Sequence, residues 1–217
     1  MTAKVRLTVG IAGGTGSGKT TLSATIAENI GSANAALIGL DAYYRDHSHI
    51  PLEERASINY DHPDEIEVEL LLEHLRTLKK GCTINIPVYS YDTHTRSTET
   101  VRIEPTPIVI VEGLFVLWDD ELRSELDLKI FIECDSDVRF IRRLRRDTEE
   151  RGRTIESVLT QYLETVRPMH KTFVAPSRIH ADIVVSDLED NKNVLIPVVD
   201  RIREILTTQY ESNAHEL

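Results

Sequence analysis

Gly13, Gly18, Lys19 and Thr20 stand in the spacing G-x-x-x-x-G-K-[ST], inside the stretch GIAGGTGSGKTTLS (10–23). That spacing suits the holding of a polyphosphate. Backbone without side chains lets successive N–H groups converge on phosphate oxygens, and a helix beginning there turns its positive end toward them. Lys19 then has the reach for the β- and γ-phosphates, and the Thr20 hydroxyl can ligate Mg²⁺. Gly13, Gly14, Thr15, Gly16, Ser17, Gly18, Lys19, Thr20 and Thr21 are the expected nucleotide-binding run. Five glycines between Gly10 and Gly18 cost conformational entropy, and the polyphosphate is the reason we expect for that cost.

Two carboxylates stand where such a ligand would lie. Asp41 follows LIGL and Glu112 follows PIVIV, each at the end of an apolar run. In α/β sheets the ligand sits at the carboxyl ends of the strands. Transfer of a phosphoryl group to an alcohol needs one carboxylate to accept the alcohol's proton and another to hold Mg²⁺ or its waters. Asp41 suits the first role, with a share in the metal, and Glu112 suits the second. A guanine-specific switch would carry N-K-x-D. Residues 191–194 read NKNV, and no D-x-x-G follows the loop. Phosphoryl transfer to a small acceptor is therefore the stronger class. A sugar kinase of the phosphoribulokinase type and a nucleotide-binding regulator of low turnover stay open as alternatives.

A third group of chemistry-bearing residues is cationic. Arg139, Arg142, Arg143, Arg145, Arg146, Arg151 and Arg153 crowd one segment of a chain whose net charge is −11. Positions 139, 143 and 146 share a helix face. We read Arg139, Arg142 and Arg145 as a solvated face paired with Asp137, Asp147, Glu149 and Glu150. ERGR (150–153) sets Gly152 between two cations just past a helix, a hinge for a lid that closes over phosphates and excludes water.

The elements that must position these groups follow from periodicity. Apolar runs at 6–12, 35–40, 107–113, 128–134 and 181–185 alternate with helical patterns at 20–30, 64–81, 136–149, 154–166 and 193–207. Strands without polar alternation, separated by helices, predict a parallel α/β sheet covered on both faces. Residues 82–105 alternate with period two around a polar centre, which predicts a β-hairpin inserted into the core. We expect one domain over 1–217, with that hairpin and an arginine-rich lid at about 139–166. The acidic balance argues against nucleic-acid and anionic-membrane partners. No apolar run reaches bilayer length and no leader pattern opens the chain, so a cytoplasmic protein is expected. Cys82 and Cys134, in apolar runs without CxxC spacing, read as reduced core thiols.

At this point the motifs carry a resemblance. GGTGSGKT, LDAYYRDHSH, NYDHPDEIEVELLLEHLRTLKKG, IPVYSYDTHTRSTETV, VEGLF and RRLRRDTEERGRTIESVLTQYLETVRPMH are similar to the uridine kinase (uridine-cytidine kinase) family of bacterial type. The most specific are YDHP, PVYSYDTHTR and RDTEERGR. The resemblance runs from about Val5 to Leu206. It implies ATP- or GTP-dependent phosphorylation of the 5′-hydroxyl of uridine and cytidine, with Mg²⁺, a homotetramer and feedback inhibition by pyrimidine triphosphates. It assigns the catalytic carboxylate to Asp41, with Tyr44 close behind, and the ribose hydroxyls to Asp61. Tyr89 and His94 go to the base, Arg146 and Arg151 to phosphates, and Arg143, Arg153 and Gln161 to the nucleoside side. Where the family pattern has a PRG-like turn, this chain has SDLEDN (186–191), with Asp190 near the adenine.

Overall fold

In the computed structural model, residues 4–55, 57–186 and 191–214 are described. Five parallel strands form one sheet in the order β2-β5-β1-β6-β7. They are β1 (Leu7–Gly13), β2 (Ala35–Gly39), β5 (Ile108–Gly113), β6 (Leu128–Glu133) and β7 (Ile183–Ser186). Every residue of β1 is buried. Its odd positions Leu7, Val9 and Ile11 join Leu22, Ile26, Val198 and Ile202 on one face. The helices Lys19–Ile30 and Asn191–Ala214 supply those last four and cover that face. On the opposite face, Val109, Val111 and Phe131 pack with Leu71, Leu72, Leu75 and Leu78 of the helix Val68–Lys79. Burial on both sides explains why these strands show no polar alternation.

Gly10 belongs to this packing and not to the phosphate cradle. A Cβ there would stand 2.4 Å from Leu126 Cδ1 and 2.9 Å from Val116 Cγ1. Its bare backbone is needed by the core, which corrects the expectation that the whole glycine run serves the ligand.

β3 (Ile84–Ser90) and β4 (Thr95–Ile103) pair antiparallel in a separate two-stranded sheet, the expected hairpin, with an irregularity between Pro87 and Tyr89. The helix Ser136–Glu149 matches its expected span. The next one overruns its expected end. It starts at Ile155 behind the Thr154 cap and stays helical to Ser177, with two widened turns at Tyr162–Val166 and His170–Val174. A proline clashes with the carbonyl four residues before it. Those residues, Glu164 for Pro168 and Thr172 for Pro176, each lie in a widened turn that relieves the clash. Cys82 is exposed and Cys134 half-buried, so neither is the core thiol expected. Cys82 stands before β3, where chain direction has just reversed at Gly81.

Candidate active site

The cradle begins where β1 ends. Gly16 and Gly18 take φ of 74° and 94°, backbone that favours glycine, and the helix Lys19–Ile30 opens directly behind them. Lys19 is 9% exposed and its ammonium donates to the Gly14 carbonyl at 3.1 Å. Burial pulls its proton affinity down, while Glu112 and Asp41 act in the opposite sense. Ser17 Oγ is buried and has no hydrogen-bond partner among the described residues.

The loop rests on an arginine that sequence reasoning placed in solvent. Arg139 is 5% exposed. Its Nε donates to the Cys134 carbonyl at 3.0 Å and its Nη2 lies 3.2 Å from His170 Nε2. A Cβ on Gly16 would meet the Arg139 backbone oxygen at 2.3 Å, and one on Gly14 would meet its guanidinium at 2.4 Å. Gly14 and Gly16 are thus bare because Arg139 fills the space a side chain would take. The signal was available: positions 139 and 143 are four apart and face the same way.

Asp41 and Glu112 lie beside the cradle. The pairing of β2 with β5 sets Gly39 opposite Glu112, and Asp41 follows in the turn Leu40–Tyr43. The Thr20 hydroxyl donates to Glu112 Oε1 at 2.9 Å. Burial raises Glu112, opposed by Lys19 and by the Thr20 hydrogen bond. No cluster of three His, Cys, Asp or Glu among the described residues could enclose a metal alone. Hard oxygens from Thr20 and Glu112 fit Mg²⁺, which keeps several waters and takes only one or two protein carboxylates beside phosphate oxygens.

Across the cleft stands an aromatic wall. The Tyr44 and Tyr89 rings lie 4.9 Å apart, and Tyr60 stacks on His94 at 5.4 Å with planes 15° apart. The Tyr60 hydroxyl donates to the His94 carbonyl at 3.1 Å, holding that residue at a positive φ of 50°. Burial lowers the His94 proton affinity, reinforced by Arg153 and Arg55. Asp61 is buried and accepts from the Thr165 hydroxyl at 3.1 Å. Burial raises it, opposed chiefly by Arg143. Tyr91 donates to Asp41 Oδ2 at 2.5 Å. Burial together with the Asp41 charge holds its phenol proton on.

The arginines converge on one carboxylate. Asp147 is fully buried and not the surface partner expected. Arg146 lies 2.8 Å from it, Arg143 3.3 Å, Arg151 3.6 Å and Arg153 3.8 Å. Arg143 also donates to Thr15 Oγ1 at 3.2 Å and to Gln161 Oε1 at 2.8 Å, and Arg153 meets the same Gln161 oxygen. Four cations around one anion leave positive charge over.

One cleft of about 1230 Å³ gathers these groups. Thr15, Gly16, Gly18, Lys19, Thr20, Thr21, Asp41, Tyr44, Asp61, Tyr89, His94, Glu112, Arg143, Arg146, Arg151, Arg153 and Gln161 all line it. Gly13, Gly14 and Ser17 are not among its lining residues, and Asp190 lies outside the described residues. Tyr60, Tyr91, Thr165 and the supporting Arg139 and Asp147 were missed. Tyr91 stands two residues after Tyr89, in the turn just past the end of β3, and the period-two pattern of the arm is a signal that could have found it. Asp147 stands four residues from both Arg143 and Arg151, a spacing that could have found it, whereas Thr165 had no such signal because its partner Asp61 is distant in sequence.

Residues 8–193 match the sequence profile described as the Phosphoribulokinase / Uridine kinase family. The uridine kinase of Clostridium novyi (strain NT) is 48% identical over 199 residues, covering 92% of this chain and 96% of that protein. The uridine kinase of Alkaliphilus metalliredigens (strain QYMF) is 49% identical over 198 residues, covering 91% and 95%. In fold the chain is similar to phosphoribulokinase from Rhodobacter spheroides, with TM-score 0.60 and 15% identity over 85% of this chain and 71% of that one.

Proposed function

Because the chain belongs to the Phosphoribulokinase / Uridine kinase family, we propose that it transfers the γ-phosphoryl group of ATP or GTP to the 5′-hydroxyl of uridine and cytidine, giving UMP and CMP. The carrying observation is that one cleft presents a phosphate cradle, a carboxylate at Asp41 and an aromatic wall with an imidazole. A sugar acceptor has no base to meet such a wall. A binder without turnover has no use for a proton acceptor beside its phosphates.

The residues divide the work as follows. Gly13 to Thr21, Lys19 among them, hold the donor's phosphates, and Asp41 accepts the 5′-hydroxyl proton as the oxygen attacks the γ-phosphorus and the bond to the β,γ-bridging oxygen breaks, releasing ADP or GDP. Thr20 and Glu112, with Asp41 near, would hold Mg²⁺, which would supply neutralisation of charge on the transferred group. Arg146 and Arg151 meet the phosphates. Asp61 accepts from the vicinal ribose hydroxyls, which favours ribonucleosides. Tyr44, Tyr89 and His94 frame the pyrimidine, and Arg143, Arg153 and Gln161 close the nucleoside side. Gly152, at φ 62° with nothing near its missing side chain, is the hinge on which the arginine lid turns. Asp190 is proposed at the adenine. A homotetramer acting in the cytoplasm is the setting we propose.

A coupled ADP-release assay across uridine, cytidine, thymidine, adenosine and ribulose 5-phosphate tests this reading. Turnover with the two ribopyrimidines alone supports it, and turnover with ribulose 5-phosphate alone, or with no acceptor, overturns it.

A further inference from the structure

Tyr91 touches three functional groups at once. Its hydroxyl donates to Asp41 Oδ2 at 2.5 Å. Its ring carries the Arg151 guanidinium, whose Cζ lies 3.9 Å from the ring centroid. Its edge meets Tyr89, with centroids 5.4 Å apart and planes at 82°. A hairpin residue therefore links the carboxylate after β2, the hinge arginine and the aromatic wall.

A carboxylate in a half-open cleft has two equivalent oxygens and turns freely about its last torsion. A short hydrogen bond from a neutral hydroxyl to a charged oxygen is among the stronger kinds. Such a bond occupies one oxygen and fixes the plane of the other. Reactions that need an aligned acceptor oxygen gain rate from that restriction. The same ring attracts a cation to its face, an interaction that strengthens as water leaves.

We propose that Tyr91 is a positioning residue for phosphoryl transfer: its hydroxyl holds Asp41 Oδ2 so that Oδ1 faces the acceptor alcohol, and its ring seats Arg151, so one side chain aligns both the base and the lid. The proposal rests on the kinase reading above. The hydroxyl is a part of the working site and not a stand-in that the acceptor displaces. Tyr91→Phe removes only the oxygen and keeps the platform for Arg151. Tyr91→Leu removes both.

The test uses the full chain with ATP and uridine, and measures kcat and both KM values for Y91F, Y91L, D41N and Y91F/D41N. We expect Y91F to lower kcat by about 10-fold with both KM values within about 2-fold, a loss of orientation and not of binding. Y91L should in addition raise the ATP KM by roughly 3- to 10-fold. Because Tyr91 acts through Asp41, Y91F should change D41N by less than about 2-fold. Equal losses from Y91F in both backgrounds would overturn the proposal, whatever the variants' thermal midpoints. So would a wild-type kcat in Y91F, with or without faster ATP hydrolysis in the absence of uridine; the faster hydrolysis would mark the hydroxyl as a displaceable plug. If D41N itself turned over normally, the failure would lie with the role given to Asp41.

Discussion

Replacing Asp41 by Asn keeps the side chain's shape and removes its capacity to take a proton. Asp41→Asn is expected to lower kcat by about 10²-fold or more while leaving nucleotide affinity within about 2-fold. Equilibrium titration with a fluorescent ATP analogue beside the turnover assay checks both halves. At His170 the expectation concerns stability. Burial, then the Arg139 and Lys19 charges, depress this imidazole from the ordinary 6.5 to about 4. Between those values the unfolded chain binds the proton and the folded one does not, so stability rises with pH across that window. Acidifying from neutrality to about pH 5 should cost at most about 2 kcal/mol through this group. Urea midpoints measured against pH should show a flatter slope for His170→Gln than for the parent. Asp41, Lys19 and Glu112 were legible because a strand's end and a spacing rule locate them. For Arg139 the helix face was legible from its spacing to Arg143, but its burial was not, because that depends on a loop more than 120 residues away in sequence, at Gly14 and Gly16.

Glycines that look alike in the sequence separate by element. Gly10→Ala should cost about 1–3 kcal/mol by overpacking against Leu126 and Val116 and leave the site's chemistry intact. Gly16→Ala sets a methyl against the Arg139 carbonyl at a φ of 74° and should abolish nucleotide binding. Thermal unfolding with and without ATP distinguishes the two: the first keeps its ligand-induced shift and the second loses it. The strand-helix alternation was readable because buried parallel strands are continuously apolar. The helix after Thr154 was harder to read, since Pro168 and Pro176 suggest breaks that two widened turns absorb. The second of those devices also carries His170, and the first carries Thr165, the donor to Asp61. Thr165→Val should raise the uridine KM by roughly 3- to 10-fold with kcat retained, and narrow the preference for uridine over 2′-deoxyuridine. An unchanged preference would separate Thr165 from ribose recognition.

Across the molecule, an acidic chain with 25 lysines and arginines draws four of its arginines to one place. Arg143, Arg146, Arg151 and Arg153 gather around the buried Asp147, so the excess faces the cleft. Removing the centre leaves those cations to repel one another. Asp147→Asn should lower stability by about 3–5 kcal/mol, read as a lower urea midpoint than the parent's. Among the described residues no helix is long and apolar enough to cross a membrane. The inserted hairpin was visible from its period-two pattern and its place at the base from the resemblance, whereas the way Tyr60 and Tyr44 meet it from other segments was not. A crystal structure with a non-hydrolysable ATP analogue, Mg²⁺ and uridine bound should show the triphosphate within the turn 13–20 and the ribose 5′ oxygen within hydrogen-bond distance of Asp41. A 5′ oxygen lodged away from Asp41, or phosphates seated elsewhere, would contradict the proposed function.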